Sequence, residues 1–145
     1  MRVIAILLLF FVCKVSPRAD AKQEGERLFA LKVRSILSSK CFACHGEDSK
    51  KIKGELNLTS RAGLLKGGES QEPSIVPGQP LKSSFYLAAT RQHEDDWAVM
   101  PPKENDKLSA IQLSALKHWV ELDAPWPDAK TQARYIAEER AKPVT

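Results

Sequence analysis

Cys41-Phe42-Ala43-Cys44-His45 is the stretch around which the rest of the chain is organised. It has the C-x-x-C-H pattern by which c-type haem is attached covalently. Cysteines at this spacing reach the two vinyl groups on one edge of a haem and form thioethers with them. The histidine that follows can then offer a ring nitrogen to the iron. We therefore predict one covalent haem c, with Cys41 and Cys44 as attachment sites and His45 as an axial ligand.

Two other interpretations of the motif are weaker. A thioredoxin-like C-x-x-C is expected after a strand, whereas a helical pattern precedes Cys41. A structural zinc site needs a second pair of Cys or His residues at ligand spacing. The sequence holds three Cys and three His in all, and they supply no such pair.

Length and charge set broad limits on the protein. A chain of 145 residues is about the size of one domain. Its formal charge is +4, and without residues 1–21 it keeps 19 basic and 17 acidic side chains, a charge of +2. This small excess does not predict nucleic-acid binding. Beyond residue 21 the only cysteines are those of the motif, so no disulfide framework is expected.

Residues 1–21 have the pattern of a secretory signal peptide. Arg2 is followed by an apolar run from Val3 to Cys13, and Ala19-Asp20-Ala21 forms a cleavage site. The run is too short to span a bilayer. We therefore predict an exported, periplasmic or otherwise extracytoplasmic protein that starts at Lys22 and has no membrane span. An uncleaved membrane anchor is the main alternative. A lipoprotein modified at Cys13 is a weaker one, because Val12 stands where a small residue is expected.

Helical periodicity precedes the motif. From Glu24 to Lys40 the apolar side chains recur at helical spacing, at Phe29, Val33, Ile36 and Leu37. This helix would deliver Cys41 to a fixed position. After the motif, Thr59 or Ser60 is expected to cap a short helix that reaches Lys66 and ends at Gly67-Gly68.

Two more helices are predicted downstream. The first runs from Leu81 to Thr90, after Pro80, with an apolar side formed by Leu81, Phe85, Ala88 and Ala89. The second runs from Ser109 to Leu122 and begins with a capping box, Ser109-x-x-Gln112. Its predicted core stripe is Ile111, Ala115, His118 and Leu122, flanked by Leu116, Trp119 and Val120, which makes His118 a core histidine. Trp119 and Trp126 are expected in the core.

The predicted organisation is a signal peptide over residues 1–21, a haem domain over residues 22–127 and a charged tail over residues 128–145. A frayed helix is expected in the tail between Lys130 and Arg140.

Met100 is the first candidate for the second axial ligand. It is the only Met beyond the leader, and the two prolines after it keep its segment out of a helix. A thioether is a soft ligand that favours ferrous iron. His93 is the main rival, and an open, five-coordinate iron is the remaining case.

Several residues are candidates for supporting roles. Arg61 is the candidate donor to a haem propionate. A ligating His usually donates its other ring nitrogen to a carbonyl, and we expect one in the Pro-rich loop Glu69–Pro80 to accept from His45. Lys50, Lys51 and Lys53 form either a solvated loop or a docking patch for an acidic redox partner.

The ordered set of motifs resembles class I cytochrome c and, more narrowly, the Planctomycete-type cytochrome c domain. The resemblance spans roughly Phe29 to Pro127 and rests on these stretches: Cys41–Gly46, Gly54–Leu58, Leu65–Ser70, Ile75–Gly78, Met100–Pro102 and Leu122–Pro127. It implies a small all-α fold wrapped around a covalent haem, and electron transfer with transient redox protein partners. It also implies Cys41 and Cys44 as thioether sites, His45 as proximal ligand and Met100 as distal ligand.

Two departures from the family pattern bear on function. Gln71-Glu72 alters a loop in which the family often has Gly after the Glu-Ser pair. Such domains also commonly open longer exported proteins, so a free-standing carrier and the first part of a larger protein both stay open. The competing functions are a haem enzyme or a gas or peroxide sensor with an open distal site, and the haem module of a larger exported enzyme. A permanent Met100 ligand would exclude the open distal site.

Overall fold

The computed structural model of the protein describes residues 17–46, 48, 50, 52–93 and 98–143. Within these ranges the chain is helical and has no strand, which confirms the all-α prediction. The α-helices are α1 (Pro17–Leu28), α2 (Arg34–Lys40), α3 (Phe42–His45), α4 (Arg61–Lys66), α5 (Ser84–Thr90), α6 (Ala110–Glu121) and α7 (Ala129–Arg140). A π-helical turn covers Phe29–Val33, and 3₁₀ turns cover Pro80–Lys82 and Glu104–Asp106. None of the helices in these ranges is long and apolar enough to cross a membrane. The predicted apolar run of the signal peptide lies outside the described residues.

The helical segment before the motif is formed by α1, the π-helical turn and α2. The four predicted core residues, Phe29, Val33, Ile36 and Leu37, are all buried, as expected from their spacing. Within the described residues this helical segment already includes Pro17, well before the predicted start at Glu24. It ends where Cys41 takes the C-cap position, so the motif is fixed to a helix anchored in the core.

α6 begins with the predicted capping box, in which the Ser109 and Gln112 side chains each bond the other residue's backbone. The prediction of its buried face is wrong in part. Ile111 is 76% exposed and His118 lies at the surface. Of the predicted stripe only Ala115 is buried, together with the flanking residues Leu116, Trp119 and Val120. This face carries the larger apolar side chains, and burial of more apolar area decides the orientation of the helix.

Three aromatic rings join the first helical segment to α6 and the chain after it. The Phe29 ring centroid lies 4.3 Å from that of Trp126 and 5.6 Å from that of Trp119. The Trp119 Nε1–H donates a hydrogen bond of 2.8 Å to the Pro125 carbonyl. Trp119 is fully buried and Trp126 packs against the core half-buried, so both predicted core positions are confirmed.

α7 is packed, whereas a frayed helix was expected. The Asp128 side chain caps it by accepting a hydrogen bond of 2.7 Å from the Thr131 N–H. Tyr135 is 1% exposed, and its hydroxyl donates to a Glu26 carboxylate oxygen at 3.3 Å. α7 lies against α1 and the π-helical turn. The burial of one aromatic side chain therefore makes part of the charged tail an element of the fold.

The short connecting helices follow the predicted signals closely. The Ser60 side chain caps α4 by accepting from the Gly63 N–H at 3.0 Å. Gly67 ends α4 with φ +77°, and a Cβ there would lie 1.8 Å from the Glu72 carbonyl oxygen, so only Gly fits. Leu81 departs from the prediction. It belongs to the 3₁₀ turn before α5 and is 69% exposed.

Candidate haem-binding site

A cleft with a volume of about 600 Å³ opens beside the motif. Small-molecule and cofactor sites typically have volumes of about 300–1,000 Å³. Its walls come from separate parts of the chain, namely the motif, the loops around residues 54–58 and 68–76, α5, the segment 98–102, and α6 with the residues before it. The lining is mainly apolar and includes Leu56, Leu58, Val76, Phe85, Leu108 and Leu116. Such a cleft suits a large, flat, mostly apolar group.

The motif forms one rigid helical turn at the edge of this cleft. The backbone N–H groups of Cys44 and His45 both donate to the Cys41 carbonyl, at 3.1 and 2.9 Å. Cys41 is half-buried and Cys44 is exposed, and both are free thiols that line the cleft. Burial raises the pKa of the Cys41 thiol to about 12, so that this thiol is neutral at physiological pH.

His45 is nearly buried, with 9% of its surface exposed. Its Nδ1 lies 3.2 Å from the Leu56 carbonyl oxygen. A carbonyl only accepts hydrogen bonds, so Nδ1 carries the hydrogen and Nε2 keeps the lone pair that a metal needs. The geometry thus prepares His45 as a ligand before any metal binds.

The position of the acceptor corrects the sequence-based prediction. A carbonyl of the Glu69–Pro80 loop was expected, but the acceptor is Leu56, which is closer to His45 in the sequence. The Lys53 N–H donates to the Cys44 carbonyl at 2.8 Å, and the Leu58 N–H donates to the His45 carbonyl at 2.9 Å. These two bonds fold the segment back onto the motif and bring the Leu56 carbonyl to the ring.

Met100 lines the same cleft as Cys41, Cys44 and His45. Its backbone N–H donates to the Ala88 carbonyl at 2.9 Å, in the last turn of α5. The Met100–Pro101 peptide bond is cis, and Pro101 is buried. The fold therefore brings all four predicted iron and haem residues to one cavity. Whether Met100 binds the iron stays a prediction.

The other two histidines lie elsewhere. His93 is half-buried and is not part of the cleft lining. His118 was expected in the core, but its Nε2 lies 2.8 Å from a Glu24 carboxylate oxygen at the surface. Hydrogen bonding to Glu24, and then to Glu121, raises the pKa of His118 despite partial desolvation. The contact with Glu24 of α1 holds the His118 side chain at the surface, outside the core.

Arg61 does not reach the cleft. Its Nε donates to the Ala124 carbonyl at 3.0 Å and its Nη2 to the Asp123 carbonyl at 3.2 Å. These bonds tie α4 to the chain after α6, so the predicted propionate contact of Arg61 finds no support in the fold. Among the described residues, the lysines and arginines that line the cleft are Lys40 and Lys82. Sequence reasoning missed both, although Lys40 directly precedes Cys41.

The lysines after the motif are placed only in part. Lys50 and Lys53 are exposed, and Lys51 lies outside the described residues. Lys50 and Lys53 follow Cys44 closely in the sequence. Their role in docking a redox partner stays a prediction.

The residues around the cleft fit a covalent haem. Two thiols stand on one wall, the adjacent His offers a free ring nitrogen, and a thioether lies in the same cavity. α5 adds Phe85, Ala88 and Ala89 to the lining. The sequence predicts these three on one apolar side of a helix, and their helical spacing is the signal for a shared face.

The comparison with known families agrees with this chemistry. Residues 41–104 match the family model described as Planctomycete cytochrome C. No curated protein and no solved structure matches the chain. The matched range contains the motif, the Leu56 carbonyl, α5 and Met100, which together form most of the cleft. Residues 41–104 of this chain are therefore similar to the Planctomycete cytochrome C family model.

Proposed function

We propose that the protein is an exported mono-haem c-type cytochrome that carries electrons between transient protein partners, with His45 and Met100 as axial ligands. The observation that carries the proposal is the meeting of Cys41, Cys44, His45 and Met100 in one apolar cleft. The family match over residues 41–104 supports a c-type cytochrome. When bound, the haem supplies a ferric/ferrous couple that takes up and releases one electron.

Each of the four residues has a distinct part in this proposal. The thiols of Cys41 and Cys44 would each add across a vinyl group, with a new sulfur–carbon bond and the thiol hydrogen moved to the vinyl carbon. His45 would bind through Nε2, because Nδ1 is occupied by the Leu56 carbonyl. Met100 would offer a soft sulfur that favours the ferrous state. The apolar walls would exclude water and raise the potential further.

Lys82 is our candidate for holding a haem propionate. Lys40, the other cation of the cleft, already lies 3.7 Å from an Asp106 carboxylate oxygen. Lys82 also lines the cleft, and within the described part of the chain no acidic side chain pairs with it. A propionate carboxylate would supply the missing counter-charge.

Substitution of Met100 tests the proposed ligation. A thioether–iron bond gives a weak absorption band at the red end of the oxidised spectrum, and we expect Met100→Ala to abolish it. The variant should also have a lower potential and bind carbon monoxide much faster when reduced, because a ligand that favours ferrous iron has left an open position. His93→Ala is the control and should change none of these properties. Rapid carbon monoxide binding by the unmodified protein would favour a haem enzyme or sensor instead.

Two measurements on the same preparation test attachment and export. The haem should stay with the protein through acid–acetone extraction, and its release would contradict attachment through Cys41 and Cys44. N-terminal sequencing of protein from the producing cell should begin at Lys22. An intact Met1 would indicate an uncleaved anchor.

A further inference from the structure

The segment between α5 and α6 carries Met100, and its described residues are tied to the body of the protein at several points. One tie is the backbone bond from the Met100 N–H to the Ala88 carbonyl. This bond alone fixes a single amide in a segment with charged, largely exposed residues on its C-terminal side. The ionic contacts of that side supply the remaining ties.

Glu104 links the two ends of the segment. One oxygen of its carboxylate accepts from Arg91 Nη1 at 2.7 Å, and the other accepts from Lys107 Nζ at 2.6 Å. Arg91 is the C-cap of α5 and lies 13 positions before Glu104, so their contact joins the end of α5 to the 3₁₀ turn that follows Met100. The hydrogen bond from Lys107 and the charge of Arg91 lower the pKa of Glu104, which is therefore ionised at neutral pH.

Asp106 links the same segment to the motif. Its carboxylate lies 3.7 Å from the Nζ of Lys40, which lines the cleft and directly precedes Cys41. The Glu104–Asp106 turn thus touches both the end of the helix that delivers Cys41 and the end of the helix that supplies the cleft wall.

We infer that Glu104 and Asp106 are positioning residues that hold the Met100 segment against the cleft. Neither touches the iron site; both act through the loop that carries the ligand. The inference rests on the proposed function only where it treats Met100 as an iron ligand. The positioning of the segment itself rests on the contacts above. An exposed ion pair changes an equilibrium constant by about 1.5–5-fold. Loss of either pair should therefore raise the fraction of time that the Met100 segment is away from the cleft by a factor of this size.

Two readouts on the haem-loaded protein test this inference. In Glu104→Gln and Asp106→Asn, the Met100 amide should exchange its hydrogen about 2–5-fold faster, because the bond to Ala88 opens more often. Imidazole should bind the ferric variants with an apparent affinity higher by a similar factor, since it binds only when Met100 has left. High salt should bring the wild type toward the variants, because these charges are exposed.

Glu121→Gln is the matched control. It removes an exposed ion pair of the same length, 2.6 Å to Lys117 Nζ, on α6 and away from the Met100 segment. It should leave both readouts at their wild-type values. Unchanged amide exchange in Glu104→Gln, or an equal change in the control, overturns the inference.

Failure of the inference and failure of the proposed function have different signatures. Suppose that the wild type lacks the thioether–iron band but Glu104→Gln speeds hydrogen exchange at the Met100 amide. This result contradicts the ligand proposal and supports the positioning role. Suppose instead that the wild type has the band but neither substitution changes the amide exchange or the imidazole affinity. This result supports the proposed function and contradicts the inference. Thermal midpoints of all variants show whether a change reflects general unfolding instead.

Discussion

At His45, one backbone carbonyl decides which ring nitrogen faces the cleft. The Leu56 carbonyl lies 3.2 Å from Nδ1 and leaves Nε2 for a metal. Because the acceptor belongs to the backbone, most substitutions of the Leu56 side chain would keep it. At Met100 the support is different, since ion pairs of neighbouring residues hold the segment. The two candidate ligands therefore differ in how sensitive they are to side-chain changes around them.

At the same scale, Lys82 gives a direct test of the propionate proposal. A cation near a haem disfavours the ferric state, so Lys82→Gln should lower the potential. If the uncompensated propionate then stabilises ferric iron by as much as an exposed charge pair, about 0.2–1 kcal/mol, the drop is about 10–40 mV. A spectroelectrochemical titration of the haem-loaded protein measures this difference.

Lys66→Gln serves as the control for Lys82. Lys66 is exposed at the end of α4 and does not line the cleft. Its substitution removes the same charge from the protein, and we expect a much smaller change in potential. Equal shifts in the two variants would mean that net charge, and not a contact with a propionate, sets the effect.

At the scale of elements, α6 has two faces with separate tasks. Its buried face supplies Leu116 to the back of the cleft and Trp119 to the aromatic cluster. Its exposed face carries His118, whose Nε2 contacts Glu24 of α1 at 2.8 Å. This contact joins α6 to the first helical segment at the surface, whereas Trp119 joins them in the core.

The His118 contact predicts a pH dependence of stability. The raised pKa means that folding favours the protonated ring, mainly through the hydrogen bond with Glu24. The stabilisation is complete below the unfolded-state pKa of about 6.5 and is lost as the pH rises through the folded-state pKa. Because the side chains are exposed, we expect no more than about 0.5 kcal/mol. Thermal unfolding between pH 5.5 and 8.5 should show this loss relative to His118→Gln, and parallel pH profiles would contradict it.

At the scale of the whole molecule, α7 is part of the folded unit. Tyr135 is buried against the first helical segment, and Arg27 pairs with Glu138 and Glu139 across the same interface. The part of the tail that was expected to be frayed therefore packs against α1 and the π-helical turn.

The packing of α7 predicts a stability effect far from the cleft. Tyr135→Ala should lower the free energy of unfolding by about 3 kcal/mol, the range for removal of a large buried aromatic side chain. Lys130→Ala, on an exposed position of the same helix, should change it by less than about 0.5 kcal/mol. Denaturant unfolding of both variants measures the difference. Equal stabilities would mean that α7 is not docked in solution.

The sequence predicts this protein well wherever local signals decide the structure. The motif spacing identifies Cys41, Cys44 and His45, and the capping residues Ser60 and Ser109 mark the starts of two helices. Choices between competing faces or partners depend on the rest of the fold. α6 offers two overlapping apolar stripes, and only the position of Phe29 and Trp126 selects the one with Trp119.

Parts of the candidate site are beyond sequence reasoning for the same reason. The carbonyl at His45 belongs to Leu56 because two other amides fold that segment back. Arg61 is drawn to the Asp123 and Ala124 carbonyls, which no local pattern indicates. Lys82 reaches the cleft only because the 3₁₀ turn precedes α5.

The π-helical turn at Phe29–Val33 has a consequence for how this chain tolerates change in length. Its hydrogen bonds span five residues where those of an α-helix span four, so it accommodates one additional residue. Each residue of an α-helix rotates the chain by about 100° around the axis. Loss of one residue within this turn would leave an ordinary α-helix with its flanking residues in register, whereas loss of one residue from α2 would rotate Cys41 away from the cleft wall. A one-residue deletion within Arg34–Lys40 should therefore be far more damaging than a one-residue deletion within Phe29–Val33.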